Sequence, residues 1–154
     1  MNKANRWLVG LASAAALSGV AMLEGTKTTP YKDIGGIPTV CTGHTGPDVR
    51  MGQQWSPAAC RAQLEKDFVK HGKGILECIN VPLTENQYNA FTSFAFNIGV
   101  SAFCASNSVA KPLNQGQYTQ ACEGMYKWVY VNGKYTEGLY NRRKIEVAMC
   151  KSIS

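Results

Sequence analysis

Two carboxylates stand close together in this chain: Glu24, and Asp33 nine positions later, inside "EGTKTTPYKDIGGIPTVCTGH". Two carboxyl groups flanking a cleft can hydrolyse a glycosidic bond, one as general acid, the other as base or nucleophile. Taken alone, the spacing also fits two solvated surface acids. Other chemistry is scarcer. The two histidines are His44 and His71. Cysteines fall at 41, 60, 78, 104, 122 and 150, with no CxxC and no Cys/His zinc pattern. No metal or cofactor is expected.

The acids need elements to hold them. Glu24-Gly25 reads as a helix end, because Gly suits the positive φ found there. An acid at a helix C-terminus sits near the negative end of the dipole. "TTPYKD" and "GGIP" read as turns around short strands, and "TVCTGHTG" as another strand and turn. Ser56 and Pro57 read as N-cap and first position of a helix running to about residue 70, where Gly72 and Gly74 interrupt it. Thr84 and Gln87 form a candidate capping box. Further helices are expected from about Tyr118 to Trp128 and from about Leu139 to Cys150, with an Asn132-Gly133 turn before the last. The fold class is α+β, mostly α: a small N-terminal β-containing lobe joined to a larger helical lobe.

The 154 residues include 45% hydrophobic and 17% charged residues, so the body is globular. The net charge of +6 is scattered, with "NRRK" at 141–144 the longest cluster. Nothing resembles a nucleic-acid arm. Diffuse positive charge suits a soluble basic surface, and also attraction to an anionic polymer such as a bacterial wall.

Upstream, "MNKANR" is basic and residues 7–23, "WLVGLASAAALSGVAML", carry no charge. This is the layout of a signal peptide or anchor. Seventeen helical residues span only ~25 Å, short of a ~30 Å hydrocarbon core. Nine of them are Ala, Gly or Ser, so the segment enters a membrane but holds weakly. It could be cleaved, before Ala15 or Met22, remain an anchor, or leave the bilayer later. The expected division is a segment 1–23 and a domain 24–154.

The string Glu24, Asp33, Thr39 resembles the signature of phage-type lysozymes, glycoside hydrolase family 24; Cys41 replaces a glycine frequent there. "VPLTENQYNAFTSFAFNIGVSAF" (81–103) and "GLYNRRKIEVAMC" (138–150) resemble the family's helix-turn-helix and C-terminal Arg-rich helix. The resemblance implies a lysozyme-like fold and a muramidase acting on peptidoglycan. Glu24 would protonate the glycosidic oxygen, Asp33 would activate water, and Thr39 would hold that water. Having both Asp33 and Thr39 favours hydrolysis over transglycosylation, which needs only the acid. Arg142 matches a position that contacts the catalytic Glu; otherwise it is a surface charge. Phe96 and Asn97 match a substrate-lining stretch, though "FTSFAF" is also a good core pattern. His44 would be structural, paired with Asp67, and His71 exposed.

The signal-anchor-release endolysins of this family supply further expectations. These are an inner-membrane tether through residues 7–23, an inactive tethered form, release to the periplasm, a functional link to a holin, and a monomer. Rivals are a secreted muramidase with a cleaved signal and a non-catalytic wall-binding protein. The six cysteines allow 15 pairings. Cys41–Cys60 would staple the small lobe and Cys122–Cys150 would join neighbouring helices, which leaves Cys78–Cys104.

Overall fold

The structure, a computed structural model, describes residues 1–153. The chain forms two compact units. One comprises Ala12–Val69; the other is built from Met1–Leu11 and Lys70–Ser154. No helix among the described residues is long and apolar enough to cross a membrane.

The 12–69 unit opens with α1 (Ala14–Glu24). Ser13 starts it: its Oγ accepts from the Ala16 N–H at 3.2 Å, satisfying one of the otherwise orphaned first-turn donors. Gly25 ends it with φ 75° and ψ 165°, its N–H closing on the Ala21 carbonyl. The positive φ is the one expected, but the extended ψ sends the chain straight into a strand. Three antiparallel strands follow: β1 (Lys27–Lys32), β2 (Pro38–Cys41) and β3 (His44–Thr45). "TTP" therefore lies within a strand rather than a turn. Pro30 is tolerated because β1 is an edge strand whose register shifts between Lys27 and Tyr31. Val40, Cys41, Val49 and Cys60 form the buried core here, with Trp55 packed against it. Cys41 joins Cys60.

α2 (Pro57–Cys78) is N-capped by Ser56, whose Oγ accepts from Ala59 N–H. It continues eight residues beyond the expected end near residue 70. Gly72 and Gly74 do not break it; they make room. A Cβ on Gly72 would lie 2.0 Å from the Tyr88 hydroxyl, and one on Gly74 would lie 2.9 Å from Val100. Space for neighbouring side chains outweighs the roughly 1 kcal/mol helix cost of each glycine.

The remaining helices are α3 (Glu85–Ile98), α4 (Val100–Cys104), α5 (Ala110–Asn114), α6 (Tyr118–Gly124) and α7 (Glu137–Lys151). Thr84 and Gln87 form the full capping box on α3. All eight residues from Tyr88 to Ala95 are buried. Phe91 and Phe94 meet Phe103 edge-on at 5.9 and 6.2 Å, and Phe94 meets Trp128 at 5.9 Å. Each buried Phe contributes roughly 1.5–3 kcal/mol. The expected helix to Trp128 stops at Gly124 and tightens into a 3-10 turn over Met125–Lys127. A hairpin, β4 (Tyr130–Val131) and β5 (Lys134–Tyr135), turns at Asn132 and Gly133, both at positive φ. Cys78 joins Cys104, and Cys122 joins Cys150.

The first eleven residues belong to this second unit. A 3-10 turn over Lys3–Leu8 is capped by Asn2. Asn5 and Leu8 are completely buried. The Asn5 amide donates to the Val81 carbonyl and its oxygen accepts from the Leu83 N–H, both at 2.9 Å. Asn2 also donates to the Asn80 carbonyl. A stretch that reads as a basic targeting end is thus a folded part of the body.

Candidate active site

Glu24, Asp33 and Thr39 all belong to the 12–69 unit. Glu24 is the last residue of α1, half-buried, three positions before the start of β1. Asp33 and Thr39 are brought together by one residue, Ile37. The Ile37 N–H donates to Asp33 Oδ1 at 2.9 Å, and its carbonyl accepts from the Asp33 N–H at 3.0 Å. That same carbonyl accepts from Thr39 Oγ1 at 2.9 Å. The turn Asp33–Gly36 closes with Gly36 N–H on the Asp33 carbonyl. The two peptide groups that flank the Ile37 Cα, one donating and one accepting, thereby fix both side chains. Thr39 is buried and pairs across the sheet with Tyr31 and Thr45. Its only proton is given to Ile37, so it offers lone pairs alone to a ligand or water. The Ile37 N–H engages only one of the two Asp33 carboxylate oxygens.

His44 sits between two carboxylates. Nδ1 is 3.0 Å from Asp67 Oδ2, and Nε2 is 3.0 Å from Asp48 Oδ2. Gln63 holds the other Asp67 oxygen at 2.9 Å. Both ring nitrogens are occupied, so the imidazole ties β3 to α2 and has no nitrogen to offer a substrate. The hydrogen bond from His44 holds the Asp48 carboxyl below its ordinary value, against a smaller opposing effect of burial.

Arg142, Phe96 and Asn97 belong to the other unit. Arg142 is no surface charge: it is 5% exposed. Its Nη2 donates to the Ser93 carbonyl at 2.9 Å, and its Nε lies 3.4 Å from Glu146. Phe96 is half-buried with its ring 4.9 Å from that of His71. His71 is therefore half-buried rather than exposed. Asn97, in the last turn of α3, is half-buried, and its Oδ1 accepts from Arg143 Nη2.

Arg143 and Glu146 are the residues that sequence reasoning passed over. Both are fully buried. Arg143 donates to Glu146, to Asn97 and, through Nε, to the Trp128 carbonyl at 2.9 Å. Its guanidinium lies 4.8 Å from the Phe94 ring centre. Burial pushes the Glu146 carboxyl up in spite of the two arginines that pull it down. The signal was present: Glu146 stands four and three residues after Arg142 and Arg143, the spacing of helical ion pairs. Among the described residues no cluster of His, Cys, Asp or Glu could hold a metal ion.

Residues 21–146 match the family model for phage lysozyme. A SAR-endolysin of Pseudomonas phage phiKMV is 40% identical over 150 residues, covering 95% of this chain and 92% of the relative. The muramidase domain of SpmX from Asticaccaulis excentricus superposes with a TM-score of 0.84 at 28% identity, over 92% of this chain and 97% of that one. P22 lysozyme, solved as a Leu-to-Met variant, gives 0.80 at 33% identity, over 91% and 97%.

Proposed function

We propose a division of labour for the residues of this chain, which belongs to the phage lysozyme family and is a phage endolysin of the muramidase type. Glu24 is the general acid for the β-1,4 bond between N-acetylmuramic acid and N-acetylglucosamine. Asp33 and Thr39 hold the attacking water. Both offer acceptors, so the water donates its two hydrogens to them and keeps a lone pair for the anomeric carbon. Asp33 then takes the proton. Phe96 and Asn97 bind saccharide, Arg142 supports the α3 residues through the Ser93 carbonyl, and the His44–Asp67 pair is structural.

The observation that carries this reading is the shared Ile37 anchor of Asp33 and Thr39, downstream of an acid that ends a helix. The decisive variant is Glu24→Gln. It keeps the side-chain shape and removes the proton, so wall clearing falls by about 10³-fold with the melting temperature unchanged. Clearing at the original rate would remove Glu24 from the acid role. Intact folding without clearing would also describe a wall-binding protein, so the original chain must release reducing sugar ends.

Residues 7–23 first hold the chain in the host inner membrane, where it is inactive. They leave the bilayer when a holin collapses the membrane potential, and the periplasmic monomer then attacks the wall. The relative's name, SAR-endolysin, and the folded state of residues 1–24 support this. Cleavage before Met22 would remove Ala14 to Ala21, leaving three residues of α1. Fractionation before and after depolarisation, with an intact mass on each fraction, tests release. An active soluble form lacking residues 1–21 would make the protein a conventionally secreted muramidase.

A further inference from the structure

Asn97 offers a substrate either a carbonyl oxygen or an NH2 group, depending on how its amide is turned. The structure fixes the choice. Arg143 Nη2 meets the Oδ1 side, and a guanidinium has donors only. The oxygen must therefore face inward, and the NH2 group faces the other way with two hydrogens to give. The brace is rigid. Arg143 has no exposed surface and is held by Glu146, the Trp128 carbonyl and the Phe94 ring. A buried cation needs such partners simply to exist. The outcome is an amide presented in one orientation from the end of α3.

We propose that Arg143 is a positioning residue that presents Asn97 as a donor, so that this subsite selects a hydrogen-bond acceptor of the substrate, an amide carbonyl. The carbonyl comes from an N-acetyl group of the glycan or from the stem peptide. This rests on the reading above that Asn97 touches substrate.

The test is Asn97→Asp, compared with Asn97→Ala. Aspartate has the same shape, keeps an oxygen on Arg143 and gains a charge pair there. It replaces the NH2 group with a second acceptor facing the substrate. KM for peptidoglycan rises about 10-fold or more, with kcat within about twofold and the melting temperature unchanged or higher. A purely structural role for the Arg143–Asn97 contact would leave KM alone. Asn97→Ala raises KM as well. Arg143→Lys, checked for folding by circular dichroism, raises KM in the original chain and adds nothing to Asn97→Asp. If Asn97→Ala is impaired while Asn97→Asp is not, the donor assignment is overturned and the subsite stands. If both keep the original KM, Asn97 does not touch substrate and the subsite reading falls first. Repeating the comparison on glycan strands stripped of stem peptides identifies the source. A persistent defect assigns the N-acetyl carbonyl; a lost one assigns the peptide.

Discussion

Asn5→Ala probes how much of the folded enzyme depends on its first residues. Asn5 has no exposed surface, and its amide answers two backbone groups of one loop at 2.9 Å, the Val81 carbonyl and the Leu83 N–H. Leu83 is itself 5% exposed, so water cannot readily replace the lost acceptor. A buried donor left unsatisfied costs about 1–3 kcal/mol. The half-buried Val81 carbonyl adds the net value of one hydrogen bond, about 1 kcal/mol. The sum is about 2–4 kcal/mol, or roughly 5–15 °C in Tm for a chain of this length. Urea unfolding of the soluble enzyme measures it. Hydrogen exchange at the Leu83 amide supplies a local readout, because that N–H loses its acceptor. Asn5→Asp should cost more, since it turns a carboxylate oxygen toward the Val81 carbonyl. A change under about 0.5 kcal/mol with unaltered Leu83 exchange would refute the reasoning. Residues 1–11 would then be ornamental to the fold.

Other outcomes follow from particular contacts. Asp48→Asn removes a carboxyl whose folded pKa is depressed. The stability this carboxyl contributes is fully present above its unfolded pKa of about 3.8 and is lost as pH falls through the lower folded value. The variant is therefore less stable at neutral pH, and its Tm converges with the original only in strong acid. Gly124→Ala would place a Cβ 1.6 Å from the Ser108 carbonyl oxygen. It should lose more than about 3 kcal/mol by urea titration, because backbone has to move. With Cys60→Ser as background, Cys41→Gly should be more stable than Cys41→Ser by about 1 kcal/mol, because Cys41 lies at φ 58°.

Much of this was legible in the sequence. Thr84 and Gln87 announced a helix start, because a capping box is local chemistry. Asn132-Gly133 announced a turn for the same reason, though not the two short strands that flank it. The order of Glu24, Asp33 and Thr39 pointed to the reaction. What stayed hidden depends on distant chain. Gly72 and Gly74 looked like breakers, since nothing local reveals that Tyr88 and Val100 need their space. Asn5 looked like part of a targeting end, because a buried asparagine and a solvated one are the same letter. Arg143 stood only as one letter of the "NRRK" cluster, because nothing local reveals that Glu146, Trp128 and Asn97 close around it. The shared Ile37 anchor was invisible because an apolar side chain advertises burial, whereas here its peptide groups matter. That side chain is in fact 52% exposed.

Cys41 gives the fold a dependence on compartment. Its left-handed backbone is one that glycine adopts freely and other residues adopt at a cost of about 1 kcal/mol or more. Joined to Cys60, the residue closes a loop and gains about 3 kcal/mol by constraining the unfolded chain. The same side chain is therefore a liability while reduced and an asset once oxidised. In a reducing cytosol the 12–69 unit carries the strain without the tie; on the oxidising side of the membrane the sign reverses. Thiol redox state thus biases where this half of the enzyme is worth folding, and it does so without any cysteine in residues 1–23.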